Sequence, residues 1–475
     1  MHLPRIAQGS GLLVLACTLA LAGCAQLPAH PALPEIQAPA AGWADNLPQN
    51  ASAWPADDWW TAYGDPQLDS LIREALVSAP SLAVADARLK QAAANLDSSD
   101  ADTLPQVSAN ADISSAKQSY NYLTPRAMLP SGMHGYARST LDFSWELDFW
   151  GRNRAALAAA TSERDAAAAE AAQARLVLTT AITSAYAELA RLFAAQDTAI
   201  AATAVRSQTA TLFRQRYDNG LETLGSVRQA EARTASSRAE VKSLAEKIEL
   251  QRNQLAALMG KSPDRGRTIS RPQMNLARPL GLPDTLALNL LGRRPDVVAA
   301  RLRAEAASRR IDVAQAAFYP NVNLNAFIGL QSLGLGQLTK AGSEIGSVGP
   351  AISLPIFNGG RLRAQYRGAR AEYEEAVANY QQTVTEALHG VADAAMSQRA
   401  LGPQLGDTAD AVQAAKDAWR IAQQRYQGGL STYIEVLSAE DNFLANQRAL
   451  TDLQSRALTQ DVALVRALGG GFRSE

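Results

Sequence analysis

The sequence predicts a mostly α-helical, internally duplicated protein that contributes four strands to a membrane β-barrel. Three observations predict this class. The composition is rich in Ala with only 6% aromatic residues, two halves repeat the same motifs, and four segments of about ten residues alternate in polarity. The 475 residues include 45 basic, 46 acidic and two Cys residues. This balance argues against a nucleic-acid partner, and so few Cys exclude a disulfide scaffold or a Cys-built zinc site.

Residues 1–23 have the pattern of a lipoprotein signal peptide. Arg5 precedes an apolar run of about a dozen residues, which is too short to span a bilayer. The run ends in Leu21-Ala22-Gly23-Cys24, which matches a bacterial lipobox, so Cys24 is the predicted lipidation site. A plain secretory signal with an incidental Cys is the alternative. Residues 24–65 are predicted to form a Pro-rich tether.

The rest of the chain contains an internal duplication. Arg216–Thr223 recurs as Arg425–Thr432, 209 positions later, and the same offset carries Gly151–Arg154 onto Gly360–Arg363. Several matches in the same order indicate a duplication, with a period too long for a solenoid. The predicted organisation is a first repeat over 66–265 (strands within 106–150, long helix pair 152–260), a connector over 266–283, a second repeat over 284–471 (strands within 320–357, long helix pair 360–468) and a tail over 472–475.

Each repeat is predicted to begin with a helical stretch, 68–99 or 284–318, and to continue with two strands. In the last strand of the first repeat, 139–150, apolar and polar residues alternate, as expected for a strand with one apolar face. A soluble sheet with one wet face would show the same alternation. The membrane interpretation is favoured by a cluster of aromatic residues that resembles an interfacial girdle: Phe143, Trp145, Phe149 and Trp150.

Four strands are too few to close a barrel, and an open sheet edge has no hydrogen-bond partners in lipid. Several chains must therefore share one barrel. Two protomers would give about eight strands, whose interior fills with side chains, so three protomers with twelve strands are the smallest assembly that leaves a pore. Four protomers remain open at this point.

The long helix pairs are predicted to extend the structure away from the membrane. Residues 152–219 contain neither Pro nor Gly, which corresponds to a helix of roughly 100 Å at 1.5 Å per residue. Its charged residues, Glu163 among them, argue against a transmembrane helix. A solvated dimeric coiled coil is the alternative, but no apolar seam with a spacing of 3.5 residues continues along this helix. The turns are predicted at Asn219-Gly220 and Gly428-Gly429.

The lipobox, the duplicated order of strands and helices and the turn motif Arg-Tyr-x-x-Gly-Leu-x-Thr resemble the TolC family of outer membrane factors, in particular its OprM- and NodT-like lipoprotein branch. The resemblance covers nearly all of 57–471. It implies a homotrimer in the outer membrane of a Gram-negative bacterium, with a twelve-stranded barrel continued by a helical barrel in the periplasm. It also implies passive conduction of drugs or toxic compounds from an inner-membrane resistance-nodulation-division pump, joined by a periplasmic adaptor protein.

Three other functions are alternatives to this expectation. A type I protein secretion channel is the alternative within the family, and an adhesive coiled-coil lipoprotein is the alternative outside it. No phosphate-binding loop, zinc-protease motif or serine-hydrolase motif occurs in the sequence, so an enzyme is not expected. No cofactor is expected apart from the covalent lipid on Cys24, and outer membrane lipid is an expected partner of the barrel.

The resemblance also assigns roles near the turns. The adaptor is expected to dock on the two tips, whose motif residues are Tyr217, Gly220, Leu221 and Thr223 in the first and Tyr426, Gly429, Leu430 and Thr432 in the second. The periplasmic aperture of the family lies just after the second tip. Matching residue by residue places Ile434, Glu435, Ser438 and Asp441 there, although the family often has Asp where this chain has Ser438.

Overall fold

The structure is a computed structural model that describes residues 31–36, 53–121, 125–128, 130–274, 281–283 and 286–474. The signal peptide, Cys24 and most of the tether lie outside the described residues. The first repeat contains α1 (Pro66–Ser78), α2 (Pro80–Ala101), β1 (Gln106–Ala116), β2 (His134–Glu146), α3 (Arg152–Asp218), α4 (Leu224–Leu258) and α5 (Pro263–Arg267). The second contains α6 (Leu286–Arg293), α7 (Pro295–Ala316), β3 (Asn321–Leu333), β4 (Glu344–Ser353), α8 (Arg361–Gln427) and α9 (Tyr433–Ala467).

The helical stretch at the start of each repeat is two helices rather than one. In the first repeat the break falls at Ala79, which is extended because the ring of Pro80 disfavours the helical conformation of the preceding residue. Pro295 begins a new helix at the matching place of the second repeat. Pro at the first position of a helix is favourable, since the missing N–H has no helical partner there.

The second strand of the first repeat begins and ends earlier than the sequence predicted, at His134 instead of residue 139. It ends at Glu146 instead of Trp150, so Phe149 and Trp150 lie in the connection to α3. The reason is local: the Asp148 carboxylate accepts a hydrogen bond from the Arg154 backbone N–H at 2.9 Å, and Gly151 has a φ of +77°. The hydrogen bond gives a partner to a backbone N–H in the first turn of α3, and the left-handed Gly151 turns the chain out of the sheet.

The four strands form one antiparallel sheet in the order β1-β2-β3-β4. The register aligns Val107, Phe143, Ala326 and Val348 across all four strands, so these residues share one face. The opposite face carries polar residues, among them Ser108, Asn110, Asp142, Asn323 and Asn325. The alternation of the sequence is therefore confirmed, and the apolar face is exposed in the single chain, with Val348 at 75% and Ile352 at 69% exposure.

Two compact units each combine parts of both repeats. One unit comprises the described parts of Met1–Ile36, Lys90–Ala166 and Arg301–Asn379, and it contains all four strands. Its core includes Phe318 and Tyr366. The other unit comprises the described parts of Gln37–Leu89, Ala167–Ala300 and Tyr380–Glu475. Its largest core surrounds Tyr63 and Tyr186.

One long helix has a stretch that is apolar and long enough to cross a membrane by composition alone. This stretch belongs to α3 and is 61% buried in the fold. The burial makes it weak evidence for a membrane span, in agreement with the charged residues that the sequence places in this helix.

Candidate functional site

The first tip is the turn between α3 and α4. Gly220 has a φ of +72°, a conformation that is strained for side chains with a Cβ. The Leu221 N–H donates to the Arg216 carbonyl at 2.8 Å, which closes the end of α3 as in a Schellman motif. Thr223 caps α4, because its hydroxyl oxygen accepts from the Ser226 N–H at 3.3 Å.

The second tip repeats this geometry between α8 and α9. Gly429 has a φ of +75°, and the Leu430 N–H donates to the Arg425 carbonyl at 2.8 Å. At the start of α9 the Glu435 carboxylate accepts from the Thr432 N–H at 3.4 Å, as in a capping box. Glu435 thus contributes to the cap of its own helix.

The two Tyr residues of the tip motif have different environments. Tyr217 is 37% exposed, whereas Tyr426 is 2% exposed and packs on Phe213 with 5.1 Å between ring centroids. The Leu residue after each turn Gly is exposed in both tips, at 64% for Leu221 and 73% for Leu430. The tips therefore present two apolar side chains on turns whose backbone is fixed by hydrogen bonds.

Contacts join the two tips of the chain. The Tyr426 hydroxyl donates to the Glu222 carboxylate at 2.5 Å, and the Arg216 guanidinium lies 4.6 Å from the centre of the Tyr426 ring. Arg216 also donates to the Tyr426 carbonyl at 3.1 Å. Burial opposes ionisation of Glu222, but hydrogen bonds from Tyr426 and the Thr223 N–H outweigh it and lower its pKa. Sequence reasoning missed Glu222, because only its partner belongs to the repeated motif.

The residues predicted at the aperture do not share one environment. Ile434 is 61% exposed, and Glu435 and Ser438 are exposed as well. Asp441 is half-buried, and its carboxylate accepts from Arg233 at 2.6 Å and from Arg206 at 3.4 Å. The structure therefore leaves Ile434, Glu435 and Ser438 accessible and engages Asp441 in ion pairs with α3 and α4.

Next to Asp441, Glu440 is a buried acid that the sequence analysis did not single out as functional. It accepts from the Thr209 hydroxyl at 2.5 Å, while the Arg206 Nε lies 3.9 Å from its other oxygen. Burial raises the pKa of Glu440. The duplication pairs it with Glu231, which is surface-accessible and bound to Arg214 and Arg228 at 2.7 Å each. Equivalent positions of the two repeats thus hold a carboxylate in opposite settings.

The aromatic residues predicted as a girdle lie at the end of β2 next to α3. Trp145 is 37% exposed, Phe149 66% and Trp150 52%, while Phe143 is half-buried. The Trp150 ring stacks on Tyr319 at 4.6 Å, and its indole N–H donates to the Pro320 carbonyl at 2.8 Å. Within the part of the chain that the structure describes, no group of three His, Cys, Asp or Glu residues is arranged to hold a metal ion.

A family model described as outer membrane efflux protein matches residues 71–261 and 286–470, once in each repeat. The chain belongs to this family. The fusaric acid resistance protein FusA of Burkholderia cepacia is 38% identical over 78% of this chain and 71% of its own length. The multidrug resistance outer membrane protein MdtP of Escherichia coli K12 is 31% identical over 91% of this chain and 90% of its own length. The solved structure of the outer membrane protein VceC from Vibrio cholerae has a TM-score of 0.84 and 49% identity, covering 88% of this chain and all of that one.

These matches confirm the resemblance to TolC-family channels. The protein is an outer membrane efflux channel of a Gram-negative bacterium, its structural relatives are trimers with a β-barrel and a helical barrel, and its helices extend into the periplasm. Members of the family are ducts rather than enzymes and work with an adaptor and an inner-membrane pump. The twelve-stranded assembly resolves the problem of the four-stranded sheet with two open edges.

The buried carboxyl group predicts a pH-dependent stability. An acid whose pKa is raised by folding stabilises the fold below its unfolded pKa and loses that contribution as pH rises through the folded value. Glu440→Gln removes the charge and keeps an acceptor for Thr209. We expect its thermal unfolding midpoint to exceed that of the wild-type trimer at neutral pH, and the difference to shrink in acid.

The matched control is Glu231→Gln. The pKa of Glu231 is lowered, mainly by its hydrogen bond from Arg228, so its charge stabilises the fold above the unfolded pKa. We therefore expect a lower midpoint for this variant at neutral pH. Circular dichroism melts of the purified trimers at several pH values measure both effects. A Glu440→Gln trimer that is less stable than wild type at neutral pH would contradict the interpretation.

Proposed function

We propose that this channel is the exit duct of a tripartite drug-efflux system, in which a periplasmic adaptor docks on the helical tips and a resistance-nodulation-division pump supplies the substrate. The observation that carries the proposal is the exposure of Leu221 and Leu430 on two rigid, equivalent turns. An exposed apolar side chain beside a fixed backbone gives a partner a defined contact at low entropic cost. The relatives named for multidrug and fusaric acid resistance favour small toxic compounds as cargo.

The remaining motif residues of the tips have supporting roles in this proposal. Gly220 and Gly429 reverse the chain, Thr223 and Thr432 begin the returning helices, and Tyr426 holds the two tips together. Tyr217 is the exposed counterpart of Tyr426 and adds aromatic surface beside Leu221. The tips thereby form one preorganised surface, and the adaptor need not order flexible loops on binding.

A second part of the proposal concerns the aperture. Ile434 and Glu435 lie on the first turn of α9, exposed and next to the second tip. In a trimer, three copies of Ile434 form an apolar constriction, and three Glu435 carboxylates form a ring that attracts cations. Ser438 lies one turn further along α9 without a charge, and Asp441, neutralised by Arg206 and Arg233, adds less to the field.

The lipid anchor on Cys24 is a third part. Tyr373 of α8 donates to the Pro34 carbonyl at 3.1 Å, and Leu33 packs against the core around Phe318 and Tyr366. Seven peptide steps separate Cys24 from Pro31, and an extended chain of that length spans at most about 25 Å. The packed segment and the short reach support a lipid that enters the same membrane as the strands.

Substitution of both tip leucines tests adaptor docking. We expect Leu221→Glu with Leu430→Glu to abolish drug resistance of a deletion strain, because two charges would have to be desolvated at the contact. Trimer formation and outer membrane location are expected to persist. Leu250→Glu is the control, since Leu250 is also exposed, at 59%, but lies in α4 far from the turn. Full resistance in the double variant would refute the docking role, and export of a protein instead of drugs would identify a type I secretion channel.

Single-channel recording in a planar bilayer tests the aperture. Glu435→Gln keeps an acceptor for the helix cap but removes the charge, so we expect weaker cation preference and weaker block by divalent cations. Ile434→Ala widens the constriction and is expected to raise conductance. Asp441→Asn serves as the comparison, with a smaller expected effect. Channels of all three variants that match wild type in conductance and selectivity would place the aperture elsewhere.

Intact-mass analysis tests the anchor. We expect the wild-type chain to begin at Cys24 and to carry the mass of its acyl groups, whereas Cys24→Ser loses that mass. Trimers of the variant are expected to remain in the outer membrane, because the barrel spans it independently of the lipid. A wild-type chain that begins with an unmodified Cys24 would disprove lipidation.

A further inference from the structure

We propose that the junction between β4 and α8 binds the phosphate of a glycerophospholipid in the inner leaflet of the outer membrane. The inference comes from a difference between the two repeats at the place where a strand passes into a long helix. Both junctions carry the same Gly-Arg-x-Arg sequence, at Gly151–Arg154 and Gly360–Arg363. Their arginines have different partners.

In the first repeat both arginines are neutralised locally. The Arg152 guanidinium lies 2.6 Å from the Glu146 carboxylate, and the Arg154 guanidinium lies 3.5 Å from the Asp148 carboxylate. These acids precede their arginines by six positions each. The first junction is therefore electrically balanced by its own sequence.

In the second repeat the two acids are replaced. The positions six residues before Arg361 and Arg363 hold Pro355 and Phe357. Within the described part of the chain, neither guanidinium has a carboxylate within 4 Å. Both arginines are exposed, and Phe357 beside them is 91% exposed. The second junction thus presents two unneutralised cations together with an aromatic side chain.

A cleft of about 400 Å³ lies at this junction. Its wall includes Arg361 and Gln365 from α8, the stacked rings of Trp150 and Tyr319, and Asn321 from the start of β3. The first junction lines the other side of the cleft with Asp148 and with the ion pair of Arg152 and Glu146, whereas Arg363 lies outside the lining, two positions from Arg361. The Asn321 amide oxygen is buried and has no hydrogen-bond partner among the described residues. The hydroxyl or ammonium group of a phospholipid headgroup would satisfy this acceptor.

The position of the cleft indicates that its occupant is a lipid. It lies at the strand ends that join the helices, and because the helices of this family extend into the periplasm, these ends lie at the depth of the inner-leaflet headgroups. The apolar face of the sheet continues from there, with Ile352 and Val348 exposed, and provides a surface for acyl chains. Arg binds phosphate through charge-assisted, bidentate hydrogen bonds.

Native mass spectrometry of the full-length trimer, released from nanodiscs of phosphatidylglycerol and phosphatidylethanolamine, tests the proposal. We expect wild-type trimers to retain phospholipid, and Arg361→Gln with Arg363→Gln to lower the affinity roughly tenfold. The control from the first repeat is Arg154→Gln, which lies outside the lining of the cleft and is expected to retain wild-type affinity. Equal retention by the wild type and the second-repeat variant would overturn the proposal.

A charge-restoring variant gives an independent test. Phe357→Asp supplies the acid that the first repeat has at Asp148, so we expect it to neutralise Arg363 and release lipid, while Phe357→Leu keeps it bound. Inorganic phosphate added without vesicles distinguishes a free anion from a lipid: the proposal requires that it does not displace the bound phospholipid. Wild-type trimers that retain no lipid would also overturn the proposal.

Discussion

The unpaired edges of the sheet are the constraint on which the rest of the molecule depends. β1 and β4 are the edges of the sheet, and within the described part of the single chain no further strand pairs with their outer backbone N–H and C=O groups. Hydrocarbon offers these groups no partners. The outward faces of the same strands are apolar and exposed, so contact of these faces with water is also unfavourable. Only a closed barrel made from several chains satisfies both requirements, and the trimeric relatives have that arrangement.

The duplication supplies the parts of this assembly twice, but the repeats are not equivalent in their charges. Glu440 is buried while its counterpart Glu231 is on the surface. Arg361 has no carboxylate within 4 Å among the described residues, while its counterpart Arg152 is paired with Glu146. Tyr426 is buried in the contact between the tips, and Tyr217 remains accessible. In both proposals that depend on charge, the aperture and the lipid site, the residues belong to the second repeat.

The tips illustrate how stability and function share the same residues. Glu435 helps to cap α9 and is also the exposed charge nearest the proposed constriction. Asp441 belongs to a network with Arg206 and Arg233 that ties the two hairpins together. Truncation of such a residue would change both the stability of the helix and the electrostatic field in the proposed pore. A replacement such as Glu435→Gln removes the charge but keeps the hydrogen-bond acceptor, and therefore separates the two roles.

The sequence by itself determined the helices, the strands, the duplication, the turns and the family. These features depend on local rules: alternation of polarity, the absence of Pro and Gly from long helices, and Gly at left-handed turn positions. The end of β2 was predicted too late. The alternating pattern continues past Glu146, but the Asp148 carboxylate accepts a hydrogen bond from the Arg154 N–H in the first turn of α3, and the chain has left the sheet. The break before Pro80 was also missed, because a helix-compatible composition hides a Pro that ends the preceding helix. Only the tertiary structure decided which polar side chains are paired. Glu222 and Tyr426, and likewise Asp441 and Arg233, lie more than 200 positions apart in the sequence, and no local pattern encodes their contact.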